Sequence, residues 1–157
     1  MIEGAFSLEE TKDLREYCRD KSLKVVFTNG CFDILHVGHV TYLEEARALG
    51  DVLIVGMNTD TSVKTNKGPD RPINTDSDRA KVLGSLRAVD AVVLFDDKTP
   101  MALIEALQPD IHVKGGDYEA EALPEYPVVT AYGGEVQILS FVTGHSTSNL
   151  IQKINTL

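Results

Sequence analysis

Short apolar runs alternate with helical patterns along this chain. Lys24–Thr28, Val52–Met57, Ala91–Phe95, Ile111–Lys114 and Val136–Leu139 are continuous, short and rich in β-branched residues. Strands buried on both faces read this way, without the alternation of a half-exposed sheet. Between them, Val37–Leu49, Asp76–Leu86, Pro100–Leu107 and Ser146–Asn155 carry helical patterns. Thr99-Pro100 is a cap followed by an N1 proline, and Thr75 ahead of Asp76 and Asp78 is a similar start. Gly50 stands where a helix stop is expected. Nearer the start, Ser7-Leu8-Glu9-Glu10 is a capping box that opens a helix to about Arg19. Leu14, Tyr17 and Cys18 form its apolar stripe. Residues 119–134 are broken by Pro124, Pro127, Gly133 and Gly134, so a short helix and loops are expected there.

Five strands alternating with helices predict an α/β fold, a doubly wound five-stranded parallel sheet of Rossmann-like type. The length of 157 residues suits one core. Residues 1–22 are expected as an N-terminal helix and residues 23–157 as a single domain. In such sheets the ligand crevice lies beyond the carboxyl ends of the strands, at the switch point. Three segments follow strands and converge there: the turn after the first, Lys114–Tyr118 after the fourth, and Ser146–Ser148 after the fifth. No G-x-G-x-x-G follows any strand, which weighs against a nicotinamide or flavin oxidoreductase.

The turn after the first strand carries the chemistry. It reads Thr28-Asn29-Gly30-Cys31-Phe32-Asp33-Ile34-Leu35-His36-Val37-Gly38-His39. Glycines let backbone approach a ligand, and a helix start offers free N–H groups and a favourable dipole to an anion. Two imidazoles three residues apart share one face of the first turn. A metal pair is the competing use of such histidines. No third ligand is nearby, because Asp33 is on the turn and Cys18 and Cys31 are distant or poorly placed. A polyphosphate grip fits best.

This run resembles the G-x-F-D-x-x-H-x-G-H signature of the nucleotidylyltransferase superfamily. More narrowly, the chain resembles the D-glycero-β-D-manno-heptose 1-phosphate adenylyltransferase family over about residues 23 to 155. Asn58–Lys64, Lys67-Gly68-Pro69-Asp70-Arg71-Pro72-Ile73-Asn74, Arg87–Asp90, Lys114–Tyr118, Ser146–Ser148 and Lys153-Ile154 carry the likeness. It implies a nucleotidylyltransferase fold and adenylyl transfer from ATP to the heptose 1-phosphate, giving ADP-heptose and pyrophosphate. A cytidylyltransferase acting on glycerol 3-phosphate or a similar small phosphate is the alternative within enzymes. A nucleotide-binding sensor without turnover is the alternative outside them.

Site roles follow from the resemblance. His36, His39 and Lys67 are the expected catalytic residues. Asn29, Gly30, Cys31, Phe32, Lys114, Gly115, Asp117, Ser146, Thr147 and Ser148 are expected around the nucleotide. Asp33, Lys64 and Arg71 are expected at the sugar phosphate, although Asp33 can equally cap the turn. Lys64, Lys67 and Arg71 are read as one loop, and a solvated loop is their bland alternative. A plain N-cap is the equally weighted alternative for the Ser146–Ser148 triplet. Arg87 is expected to brace its neighbours through Asp90, and His112, inside a strand, to be a packed histidine. His145 has no counterpart in the family pattern, yet it sits where it can reach the phosphates. Phe141 and Asn149 stand where related cytidylyltransferases carry an arginine and a lysine. Mg²⁺ is expected to ride on the ATP phosphates, with no protein ligand.

Composition narrows the partners. The net charge is −9, which argues against nucleic acid but not against a nucleotide in a locally positive cleft. No apolar run approaches the ~20 residues of a membrane span. The start lacks a secretory pattern, and two cysteines form no metal spacing, so reduced thiols in a cytoplasm are expected. A homo-oligomer, a dimer, completes the expectation.

Overall fold

The computed structural model describes residues 2–157. Five parallel strands form one sheet: β1 (Val25–Gly30), β2 (Val52–Asn58), β3 (Ala91–Phe95), β4 (Ile111–Gly115) and β5 (Glu135–Leu139). Their spatial order is β3-β2-β1-β4-β5, so winding reverses between β1 and β4. Along β1, Val26 joins one core cluster while Val25 and Phe27 join the other. Both sheet faces are therefore covered, and this is why the strands read as unbroken apolar runs.

Among the described residues, seven helices surround the sheet: α1 (Leu8–Asp20), α2 (Val37–Arg47), α3 (Asp60–Lys67), α4 (Asp76–Gly84), α5 (Met101–Leu107), α6 (Tyr126–Ala131) and α7 (Thr147–Asn155). Leu43 and Ala46 of α2, with Ala80 and Leu83 of α4, cover one face. Cys18 of α1, Leu103, Ile104 and Leu107 of α5, and Val129 of α6 cover the other. A 3₁₀ turn at Ala120–Ala122 and the short α6 occupy the segment broken by prolines and glycines.

The capping box of α1 forms as read, with the Ser7 and Glu10 side chains each accepting the other's backbone N–H. Its buried face differs from expectation: it is Thr11, Arg15 and Cys18, while Tyr17 is 55% exposed. Arg15 donates to Leu107 O at 3.1 Å and to Gln108 O at 2.8 Å, and pairs with Asp110 at 3.2 Å. Those carbonyls are the orphans at the end of α5, where a cation is favoured. A buried arginine therefore replaces Tyr17 in the docking face. Helix α1 is thus packed on the same core as the strands. Ahead of it, Phe6 bridges Val93 and donates its N–H to Val92 O at 2.7 Å. This covers the free edge of β3.

Two local expectations are corrected. Residues 60–67 are helix α3, not part of a loop, with Thr59 Oγ1 accepting from Ser62 N at 3.2 Å. Only Ser62 and Val63 are buried on it, so its apolar signal is too short to read. Asp90 is braced by Arg47, at 2.9 Å, and by Leu53 N–H, at 2.8 Å, while Arg87 is exposed. His112 is fully buried and stacks on Phe27 at 5.7 Å. Burial, with help from the nearby Lys114 charge, pushes its pKa down to about 4.

The sheet opens where the site lies. β1 pairs with β2 along all six of its residues, but with β4 only at Val26–Ile111 and Phe27–His112. Beyond Phe27 a polar bridge spans the gap. Thr28 Oγ1 donates to Val113 O at 2.9 Å, and Tyr42 of α2 reaches the same carbonyl at 3.3 Å and Thr28 at 2.7 Å. A ladder that would leave Val113 O bare is thereby satisfied by side chains, and the two strand ends diverge around a crevice.

Candidate active site

His36 is the N-cap of α2, in extended conformation, and its Nδ1 accepts the Gly38 N–H at 3.1 Å. His39, at the third helical position, accepts the His36 N–H on its own Nδ1 at 3.3 Å. The pair is a capping box built from imidazoles. Occupied Nδ1 atoms place each proton on Nε2, so both rings keep Nε2–H as their one remaining donor. Glycine between them leaves room for the first ring, because a Cβ on Gly38 would lie 2.8 Å from His36 Cε1. Gly30 leaves room in turn for Phe32, since a Cβ there would lie 2.9 Å from its ring. Phe32 itself takes a left-handed φ of 48° and tilts its ring against His39 at 5.6 Å.

The His36 and His39 rings face each other at 3.9 Å between centroids. Burial, then the His36 ring and Lys67, push the His39 pKa down to about 4. Burial and the nearby His145 lower His36 as well. Both are therefore neutral donors near pH 7, suited to hydrogen-bond an oxyanion whose charge grows during reaction.

These rings line a cleft of about 650 Å³ at the β1/β4 switch point. Asn29, Gly30 and Phe32 come from β1 and its turn, Lys114 and Gly115 from the end of β4, and Lys67 from the end of α3. His145, Ser146 and Thr147 close it from the start of α7. Phe141, 70% exposed, and Tyr118, 53% exposed, form an aromatic rim. The lining holds no aspartate or glutamate, so local cations face the cleft despite the acidic chain.

Residues 27–149 match the cytidylyltransferase-like family. The chain belongs to that family. It is 56% identical over 140 residues to the bifunctional protein HldE of Citrifermentans bemidjiense, covering 89% of this chain and 28% of that protein. The chain thus spans less than a third of the length of the curated relatives it matches. The lipopolysaccharide core biosynthesis protein of Thermoplasma volcanium is 31% identical, with a TM-score of 0.61, covering 76% of this chain and 97% of that one. Pantothenate synthetase of Thermus thermophilus shares the fold, with a TM-score of 0.63 at 16% identity, covering 92% of this chain and 65% of that one. Family membership places this chain among the nucleotidyltransferases.

Within this nucleotidyltransferase, the expected site residues divide. His36, His39, Lys67, Asn29, Gly30, Phe32, Lys114, Gly115, Ser146 and Thr147 are brought together in the cleft lining. Cys31, Asp33, Lys64, Arg71, Asp117 and Ser148 are outside it. Cys31 turns its carbonyl to Arg79 at 2.6 Å. Lys64 is one helical turn behind Lys67 on α3 and exposed, and Asp117 and Ser148 are exposed too. Ser146 is the N-cap of α7, its Oγ accepting Asn149 N–H at 3.0 Å, with the hydroxyl hydrogen still available. Thr147 instead donates its hydroxyl to Ile34 O at 2.9 Å, tying α7 to the histidine turn.

Asp33 and Arg71 lock to each other rather than facing the cleft. Asp33 is 5% exposed and accepts from Arg71 Nε at 2.8 Å, Ile73 N at 2.8 Å and Asn74 N at 3.0 Å. Burial opposes its charge, but those N–H groups and the guanidinium outweigh it and hold the carboxyl below its usual range. The saturated carboxylate pins the loop that follows α3, and so the approach of Lys67.

Tyr42 and Arg79 escaped the sequence reading, as did the cleft-lining Val142, Thr143 and Gly144. Tyr42 lines the cleft, and its i,i+3 spacing from His39 was a usable signal. Arg79 of α4, 2% exposed, donates to Cys31 O, Asn58 O and Asn74 O, and pairs with Asp60 at 2.7 Å. No sequence signal marks it, because an arginine in a helix ordinarily reads as a solvated face.

Proposed function

We propose that this chain transfers the adenylyl group of ATP to D-glycero-β-D-manno-heptose 1-phosphate, forming ADP-heptose and pyrophosphate. The observation that carries the reaction type is the imidazole capping box at the switch point. Its two Nε2–H donors are set by backbone bonds before any ligand arrives. A phosphate oxygen of the sugar attacks the α-phosphorus, and the bond to the bridging oxygen of pyrophosphate breaks. The attacking phosphate is already ionised near neutral pH, so no base is needed. His36 and His39 hydrogen-bond the phosphate oxygens as charge moves to the leaving group, and Lys67 and Lys114 add positive potential.

The choice of base and sugar is supported by the Lys67–Asn74 run and by the likeness to the HldE proteins. Among the described residues no group of three or more His, Cys, Asp and Glu could hold a metal, and no aspartate or glutamate lines the cleft. Mg²⁺ therefore belongs to this reading as part of the MgATP substrate, and no step is assigned to it. A cytoplasmic homodimer completes the reading. No helix of the described residues is long and apolar enough to cross a membrane.

Pyrophosphate release with ATP or CTP against heptose 1-phosphate or glycerol 3-phosphate tests the proposal. ATP with heptose 1-phosphate should turn over fastest. Faster turnover of CTP with glycerol 3-phosphate would overturn the assignment, and no release from any pair would favour a sensor.

A further inference from the structure

His145 is the third imidazole of the cleft, and its surroundings differ from those of the other two. His36 and His39 each commit Nδ1 to a backbone N–H. The exposed His145 ring makes no hydrogen bond among the described residues, so both its nitrogens are available. It precedes Ser146, the N-cap of α7, and lies 6.2 Å from the His36 ring with the planes only 27° apart. The starts of α7 and α2 are pressed together there: a Cβ on Gly38 would lie 3.1 Å from His145 Cβ. Thr147 fixes this junction by bonding Ile34 O. His36 thus neighbours both other rings, with centroids 3.9 Å apart from His39 to His36 and 6.2 Å from His36 to His145.

We propose that His145 binds the pyrophosphate end of the nucleotide, donating to the β- and γ-phosphates beyond the scissile bond, where His36 and His39 meet the charge moving to the leaving group. This rests on the nucleotidyl-transfer reading above. The two inner rings are buried enough to stay neutral, and each has a single free donor. An exposed ring with neither nitrogen committed to backbone can turn a donor to either outer phosphate, which suits the part of the ligand that holds most of the negative charge. No carboxylate lines the cleft to compete for it, and the other cationic side chains facing it are Lys67 and Lys114. The hydroxyl of Ser146 lies beside it on the same helix start.

Calorimetric binding of inorganic pyrophosphate and of AMP to the full chain, its His145→Asn variant and its His145→Lys variant tests this. His145→Asn should weaken pyrophosphate by about tenfold, the scale of one hydrogen bond to a charged group, and leave AMP unchanged. His145→Lys should restore most of the pyrophosphate affinity. Unchanged pyrophosphate binding in His145→Asn, or equal weakening of pyrophosphate and AMP, would overturn the assignment. The probe needs neither ATP nor a sugar phosphate. Selective loss of pyrophosphate binding without ATP-heptose turnover would therefore sink the proposed substrates and leave His145 in its role. A parent chain that binds no pyrophosphate would sink both.

Discussion

A histidine that caps its own helix serves two purposes at once, and His36 shows how to separate them. Its Nδ1 closes the first turn of α2, and its Nε2–H is left for the ligand. His36→Ala removes both, so stability should fall by about 1 kcal/mol, the scale of a lost cap. The same change should lower kcat by about 10²–10³, the scale of one preorganised donor. His36→Asn is a good cap without the distal donor. It should regain the melting temperature and keep the low kcat. His39→Ala should lower kcat similarly, with ATP affinity falling less, because charge on the leaving group grows only as the bond breaks. The double alanine variant should lose less than the product of the two, since both rings serve one phosphate group. Steady-state kinetics and thermal melts of these four variants decide it. Recovery of kcat in His36→Asn would show that capping alone is the role of His36.

At the scale of elements, the site is assembled by side chains that bond other segments' backbone. Arg79 holds α4 to the histidine turn through Cys31 O and to the end of β2 through Asn58 O. It also pins the first residue of α3 through Asp60. Arg79→Ala would strand those carbonyls and remove a buried charge partner. A loss of roughly 3–5 kcal/mol is expected, the range for breaking a buried ion pair. Urea unfolding measures it, and a loss below 1 kcal/mol would mean that water replaces the guanidinium without difficulty. Asp33 does the same work for the loop after α3, so the position of Lys67 depends on contacts made outside the cleft.

At the scale of the molecule, buried histidines couple stability to pH. His39 and His112 both have pKa values pushed down to about 4 by burial, against about 6.5 in an unfolded chain. Between those values the unfolded chain binds more protons, so stability rises with pH through this window. The contribution is fully present above pH 6.5 and is lost as pH falls toward 4. Unfolding free energies at pH 7.5, 6.5, 5.5 and 4.5 should show proton uptake on unfolding near pH 5, to which His39 and His112 contribute about two protons. His112→Leu, of similar volume, should remove about one of them. A stability profile flat from pH 7.5 to 5 would contradict the burial of both rings.

The amino-acid order alone determined the strands, their parallel winding and the place of the histidine turn. Each rests on a local pattern: continuous β-branched runs, caps, and a glycine turn between strand and helix. Gly30 and Gly38 were legible as ligand approaches, but the structure shows them making room for Phe32 and His36. Tertiary structure decided what each polar side chain bonds. Asp33 and Arg71 looked like ligand groups and instead satisfy one another, because only the fold brings residue 71 to residue 33. Lys64 and Lys67 were indistinguishable as charges until α3 turned one toward the cleft and left the other a turn behind. Arg15 and Arg79 carry no mark in the sequence and are core, since the carbonyls they satisfy belong to segments distant in sequence. Pattern reports which positions must leave water. Which polar groups meet there is a property of long-range contacts, and those exist only once the sheet has formed.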